Sequence, residues 1–146
     1  VLLQIILNFS HDGEGGRNVV ISLEYDSEVP MYEQLCDQII IGIATGQLAE
    51  GEKLPTVRQL AKELGINVMT VNKAYARLRQ EGYIVIDRRH GAMISPRADS
   101  GEVEQHAAKL KRQLRLLIAQ ASVKGIGRAQ FQQLCSEIYS QMAIQN

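Results

Sequence analysis

The sequence predicts a mainly α chain with a small β-hairpin, on three observations. Between Pro30 and Gly82, apolar residues recur three and four apart in three successive stretches, as stripes on amphipathic helices require. The second and third stretches are separated by little more than Gly65. Two short apolar runs then follow, joined by the charged turn Asp87-Arg88-Arg89-His90-Gly91-Ala92. Helix, helix, tight turn, helix and hairpin is the order of a winged helix-turn-helix domain. A further apolar seam beyond residue 100 predicts an α-helical dimerisation hairpin after it.

The expected boundaries are an N-terminal leader and short strand over 1–27, the winged helix-turn-helix over 28–96 and a two-helix region over 97–146. Residues 1–18 read as a loosely held leader that ends in the Gly-rich loop SHDGEGGRN, and Val19–Tyr25 as a strand. GEGGRN is not a phosphate loop, because the Lys followed by Ser or Thr is missing and no helical pattern follows directly. The longest apolar run, Val1–Leu7, is far shorter than a membrane span and lacks the basic flank and cleavage pattern of a signal peptide. A cytoplasmic protein with no membrane partner is expected.

The first helix carries Tyr32, Leu35, Cys36, Ile39, Ile40 and Ile43 on one stripe, with Gly46 at its end. Thr56 and Gln59 form the T-x-x-Q pattern of a capping box, opening a helix of about three turns that buries Val57, Leu60, Ala61 and Leu64. Gly65 stops that helix, since glycine adopts the left-handed conformation at little cost. Asn67 caps the third helix, whose inward residues are Val71, Ala74, Tyr75 and Leu78. Tyr83–Ile86 and Met93–Ser95 are the expected wing strands.

Beyond the linker PRADSGE, the residues Val103, Ala107, Leu110, Leu114, Leu117 and Ala121 alternate four and three apart, a heptad seam. A second helix repeats the logic with Phe131, Leu134, Cys135, Ile138 and Met142. Two such helices have too little area for a core of their own, so a second copy of the chain is the expected cover. Packing of the seam within one chain, against residues 128–142, is the alternative.

The formal net charge of zero conceals a division. Residues 1–52 hold one basic residue against nine acidic, 53–97 nine against three, and 98–146 six against four. A basic middle suits a polyanion partner addressed by one part of the chain. Cys36 and Cys135 lie far apart in apolar patterns and read as buried small hydrophobes. His11, His90 and His106 share no ligand spacing, so no metal and no cofactor is expected. No nucleophile, base and orienter group is evident, which argues against an enzyme.

A helix-turn-helix lays its second helix in the major groove of duplex DNA. Its outward residues here are Asn67, Val68, Met69, Thr70, Asn72 and Lys73, with Arg77 further along. Asn suits adenine, Thr and Met suit the thymine methyl, and Lys suits guanine or phosphate. Lys53, Thr56 and Arg58 stand at the start of the second helix, where its positive end and a guanidinium fork meet phosphate or guanine. Arg88, Arg89, His90 and Gly91 form a basic wing tip suited to the adjacent minor groove or backbone.

The stretch GEKLPTVRQLAKELGINVMTVNKAYARLRQEGYIVIDRRHGAMIS resembles the DNA-binding domain of the GntR family of bacterial transcription regulators. Leu54, Pro55, Thr56, Arg58, Leu60, Ala61, Leu64, Ile66, Asn67, Thr70, Val71, Leu78 and Gly82 fall on that family's pattern, and Pro30, Tyr32 and Gln34 on its opening P-x-Y-x-Q phrase. The short two-helix tail is similar to that of the family's YtrA subfamily. The resemblance implies DNA contacts at Arg58, Val68, Met69, Thr70, Asn72 and the wing tip, and dimerisation through the tail. This chain departs from the family at the wing, where Arg89, His90 and Gly91 replace the usual G-x-G, and at Val68, where other members often carry Arg.

The function so implied is a homodimeric regulator, a repressor, on an inverted-repeat operator, with a small-molecule effector of unidentified chemistry left open. A winged-helix protein-interaction module without specific DNA binding is the alternative.

Overall fold

The computed structural model describes residues 2–11 and 14–144, with side chains over 4–6 and 18–144. Val1, Asp12 and Gly13 of the expected leader lie outside these residues, as do Gln145 and Asn146 of the expected two-helix region. The chain divides into two compact units, 1–96 and 97–146.

The first unit opens with strands β1 (Leu2–His11) and β2 (Glu14–Glu24), paired antiparallel with Leu2 opposite Glu24 and Asn8 opposite Asn18. This corrects the expectation of a loose leader over 1–18. Leu2, Leu3, Ile5, Ile6 and Leu7 form a nearly continuous apolar run that masks the period of two by which a half-buried strand is usually read. The alternation is clear only in β2, where Val19, Ile21 and Leu23 are buried.

β2 is held to helix α1 (Met31–Ala44) along its second edge. The Gln34 side chain accepts from Glu24 N–H at 2.7 Å and donates to the carbonyls of Glu24 and Val29, while Gln38 accepts from Ser22 N–H at 3.3 Å. Side-chain amides thus satisfy backbone groups that a neighbouring strand would otherwise take.

Helix α2 (Val57–Leu64) opens with the expected capping box: Thr56 Oγ1 accepts from Gln59 N–H at 3.2 Å, and Gln59 Oε1 accepts from Thr56 N–H at 3.0 Å. It has eight residues, shorter than expected, because Gly65 at φ 65° ends it at once. Helix α3 (Val68–Gln80) is capped by Asn67, whose Oδ1 accepts from Met69 N–H at 2.8 Å. Strands β3 (Ile84–Asp87) and β4 (Gly91–Ile94) form the wing, with Ile84 opposite Ile94.

The segment before α2 joins the wing as a third edge. Gly51 N–H donates to the Ile94 carbonyl, Ile94 N–H to that of Glu52, and Leu54 N–H to that of Ala92, at 2.8–3.0 Å. The core gathers β2, α1, α2, α3 and both wing strands through Leu23, Leu35, Ile39, Leu60, Leu64, Leu78, Ile84 and Ile94.

The second unit is α4 (Ser100–Val123) and α5 (Arg128–Met142). Asp99 and Glu102 make a second capping box at the start of α4, where the sequence reads only as linker. Neither helix contains a buried residue.

Gly65→Ala forces a side chain into the left-handed region and is expected to cost about 1–2 kcal/mol. Urea denaturation checks this; an unchanged midpoint would mean that the turn relaxes without strain.

Candidate nucleic-acid interface

The interface is built outward from the buried side of α3. Val71, Ala74 and Leu78 are fully buried, and Tyr75 nearly so. Tyr75 Oη donates to the Pro55 carbonyl at 2.8 Å, which ties α3 to the lead-in of α2. Cys36 Sγ donates to the Ala74 carbonyl at 3.4 Å, which ties α3 to α1. Burial pushes the Cys36 thiol up to about 11, so it stays a protonated donor rather than a nucleophile.

With that side committed, α3 offers Val68, Met69, Asn72 and Lys73 to solvent, and Thr70 at half exposure. Met69 is 70 % exposed. Asn67 is exposed too, although its carbonyl oxygen is occupied by the Met69 cap. Lys53, Thr56 and Arg58 are exposed at the start of α2. Lys53 pairs with Met93 through a backbone bridge, so the β4 strand that leaves the wing tip also fixes the approach to α2.

Arg88, Arg89 and His90 are exposed at the wing tip, and Gly91 turns the chain back at φ 74°. Asp87 shapes this tip, a role not expected from the sequence. Its Oδ1 accepts from Arg89 N–H at 2.6 Å and its Oδ2 lies 3.6 Å from His90 Nδ1. The Arg89 amide, foremost, holds the Asp87 carboxyl below the usual carboxylate range.

Arg77 follows Lys73 by one turn on α3 and is engaged by carboxylates of the protein itself. Its Nε donates to Glu81 Oε1 at 3.1 Å and its Nη1 lies 3.7 Å from Glu33 Oε1, so its guanidinium faces two carboxylates. The Arg77–Glu81 pair has the i, i+4 spacing that a sequence can suggest. Glu33 comes from another helix and carries no such signal.

Cations, amides and apolar tips of this kind, set on a rigid helix and a flanking hairpin, define a winged helix-turn-helix DNA-binding protein. The family described as "Bacterial regulatory proteins, gntR family" matches residues 31–94. The HTH-type transcriptional repressor YtrA of Bacillus subtilis is 35% identical over 119 residues, covering 82% of this chain and 92% of that protein. Among solved structures, a transcriptional antiterminator from Listeria monocytogenes EGD-e superposes with TM-score 0.69 at 27% identity, covering 82% of this chain and 90% of its own. YtrA from Sulfolobus acidocaldarius, a GntR-family transcription factor, superposes with TM-score 0.59 at 37% identity, covering 70% of this chain and 97% of its own. The chain belongs to the GntR family of bacterial transcription regulators.

In the second unit, Leu117 and Ala121 of α4 face Phe131, Leu134 and Ile138 of α5 across an open apolar groove of about 410 Å³. Cys135 lines this groove and is only half-buried, which corrects its expected place in a core. The start of the seam at Val103, Ala107 and Leu110 is exposed, as is Leu114, and Met142 at the end of α5 is half-buried. No helix among the described residues is long and apolar enough to cross a membrane.

Because its folded pKa is lowered, Asp87 supports the wing tip above the ordinary carboxylate value of about 4 and loses that effect as pH falls through the lowered value. The Asp87 carboxyl carbon and the Arg89 amide proton are expected to titrate together below pH ~4 in an NMR series. Titration of the carboxyl at or above the ordinary value would remove Asp87 from this role.

Proposed function

We propose that the chain is a repressor that binds an inverted-repeat operator as a homodimer, each copy placing α3 in the major groove and its wing tip on the flanking backbone or minor groove. The observation that carries this reading is the exposed, apolar and basic outer side of α3 together with an α4–α5 hairpin that buries none of its own residues. Symmetric pairing of that hairpin accounts for the exposed seam, and symmetry in the protein implies symmetry in its DNA. The named repressor activity of the Bacillus subtilis relative, matched over nearly its whole length, supports the sign of regulation. A DNA target supports a cytoplasmic location.

On each half-site, Val68, Met69 and Thr70 are suited to thymine methyl groups and Asn72 to adenine. Lys53, Thr56 and Arg58 meet the backbone or guanine at the groove's edge, and Arg88, Arg89 and His90 add charge from the wing.

Selecting bound duplexes from a random pool tests the reading directly. An inverted repeat with half-sites about one helical turn apart is expected, and recovery of no preferred sequence would refute it. On the selected duplex, Arg58→Ala is expected to weaken binding by about 1–3 kcal/mol if Arg58 reads a base, or uniformly on all duplexes if it meets phosphate. Equal binding by variant and parent rejects both roles. Sedimentation at micromolar concentration is expected to show twice the 16.2 kDa chain mass, with Leu114→Glu reverting to the single chain.

A further inference from the structure

The first turn of α1 holds a chain of contacts that reaches along one flank of α3. Lys73 Nζ stands 3.9 Å above the centre of the Tyr32 ring. The Tyr32 hydroxyl donates to Glu33 Oε1 at 3.0 Å, and the same oxygen lies 3.7 Å from Arg77 Nη1. Arg77 Nε completes the chain on Glu81 Oε1 at 3.1 Å. Two cations one turn apart on α3 are therefore held by opposite means, one by a ring face and the other by carboxylates.

The difference matters for a polyanion. A ring face attracts an ammonium through its quadrupole and takes at most a weak N–H···π contact, so the donors directed away from the ring stay available to a further partner. Two carboxylates draw a guanidinium toward the protein, one of them through a hydrogen bond, and add negative charge that repels phosphate. Lys73 lies one turn beyond Met69 on the outward stripe of α3, next to the residues suited to bases. A long, flexible side chain loses rotamer freedom on binding, and a seat that restrains it beforehand reduces that loss.

We propose that Tyr32 is a positioning residue for DNA binding: its ring seats the Lys73 ammonium at the α1-side edge of the reading surface with its donors free for the DNA backbone, while Glu33 and Glu81 hold Arg77 on the protein. This rests on the reading of α3 as the helix that meets DNA, with Lys73 as one of its contacts. Tyr32 acts through Lys73 and need not touch DNA itself.

The test uses the full chain and the duplex that the parent selects. Tyr32→Phe keeps the ring and is expected to bind within about two-fold of the parent. Tyr32→Leu removes the ring at similar bulk and is expected to lose about two- to five-fold. Lys73→Ala is expected to lower the salt slope by about one, and adding Tyr32→Leu to it should cost nothing more. Independently of DNA, the ε-methylene protons of Lys73 should be shifted upfield by the ring in the parent and in Tyr32→Phe, and return to the free-lysine value in Tyr32→Leu.

Equal binding by the Phe and Leu variants, or a Leu penalty that persists without Lys73, would overturn the proposal. So would a free-lysine methylene shift in the parent. Should Tyr32→Leu fail to fold, the parent's methylene shift still decides the seat, and Lys73→Met, which keeps the stem without the charge, decides the DNA contact through the salt slope. A parent that binds no duplex would overturn the DNA half of the proposal together with the reading beneath it, while the methylene shift separately reports the ring contact.

Discussion

The interaction on which the rest depends is the complete burial of one side of α3. Val71, Ala74, Tyr75 and Leu78 turn inward, and the helix is tied to its surroundings from three directions. Cys36 reaches it from α1, the Pro55 carbonyl takes the Tyr75 hydroxyl, and Tyr83 N–H donates to the Leu78 carbonyl at the entrance to the wing. A helix of thirteen residues is marginal by itself in water, so tertiary packing rather than propensity makes it rigid. Rigidity then becomes the functional property: the outward side chains are presented without a search over helix orientations, and less freedom is lost on meeting a groove.

The second constraint is the sheet that the wing shares with the lead-in to α2. Residues 51–54 pair with β4, and the buried Glu52 carboxylate accepts the Ala49 N–H at 2.7 Å, closing the loop before them. Lys53, Thr56 and Arg58 are therefore set by the same strand that leads away from Arg88, Arg89 and His90. Cations thirty residues apart in sequence become two ends of one plate. The formal charge of zero says nothing of this, because the acids that balance them are concentrated before Lys53, Glu33 among them on α1.

Legibility in the sequence followed the range of the interaction. Gly65, the Thr56 capping box and the Asn67 cap are local signals, and each lies where its spacing puts it. The inward residues of α3 followed from the helical period alone. What was missed depends on distant partners or on blurred periodicity: the β1 strand, whose continuous apolar run shows no alternation, and the Glu33 carboxylate that engages Arg77 from another helix. The Asp87 bond to the Arg89 amide was a local signal that could have been read, since Asp commonly bonds the backbone two residues on. The Asp99–Glu102 capping box is an equally local signal, masked by the linker composition around it.

The character of the α3 tip bears on why the proposed dimer is needed. Val68 cannot hydrogen-bond a base, and Met69 offers only apolar contact and a weak acceptor. The discrimination available from these two residues is modest, because an apolar contact with a thymine methyl separates bases less sharply than a bidentate pair, which leaves Asn72 as the sharper reader on the proposed half-site. On the proposed reading, phosphate contacts from Lys53, Lys73 and the wing raise affinity for any sequence alike. In the proposed dimer, specificity is added by repetition, two half-sites read at a fixed separation. On the proposed assembly that separation is set by the α4–α5 seam, so the exposed apolar residues of the second unit and the apolar tip of α3 answer to one requirement.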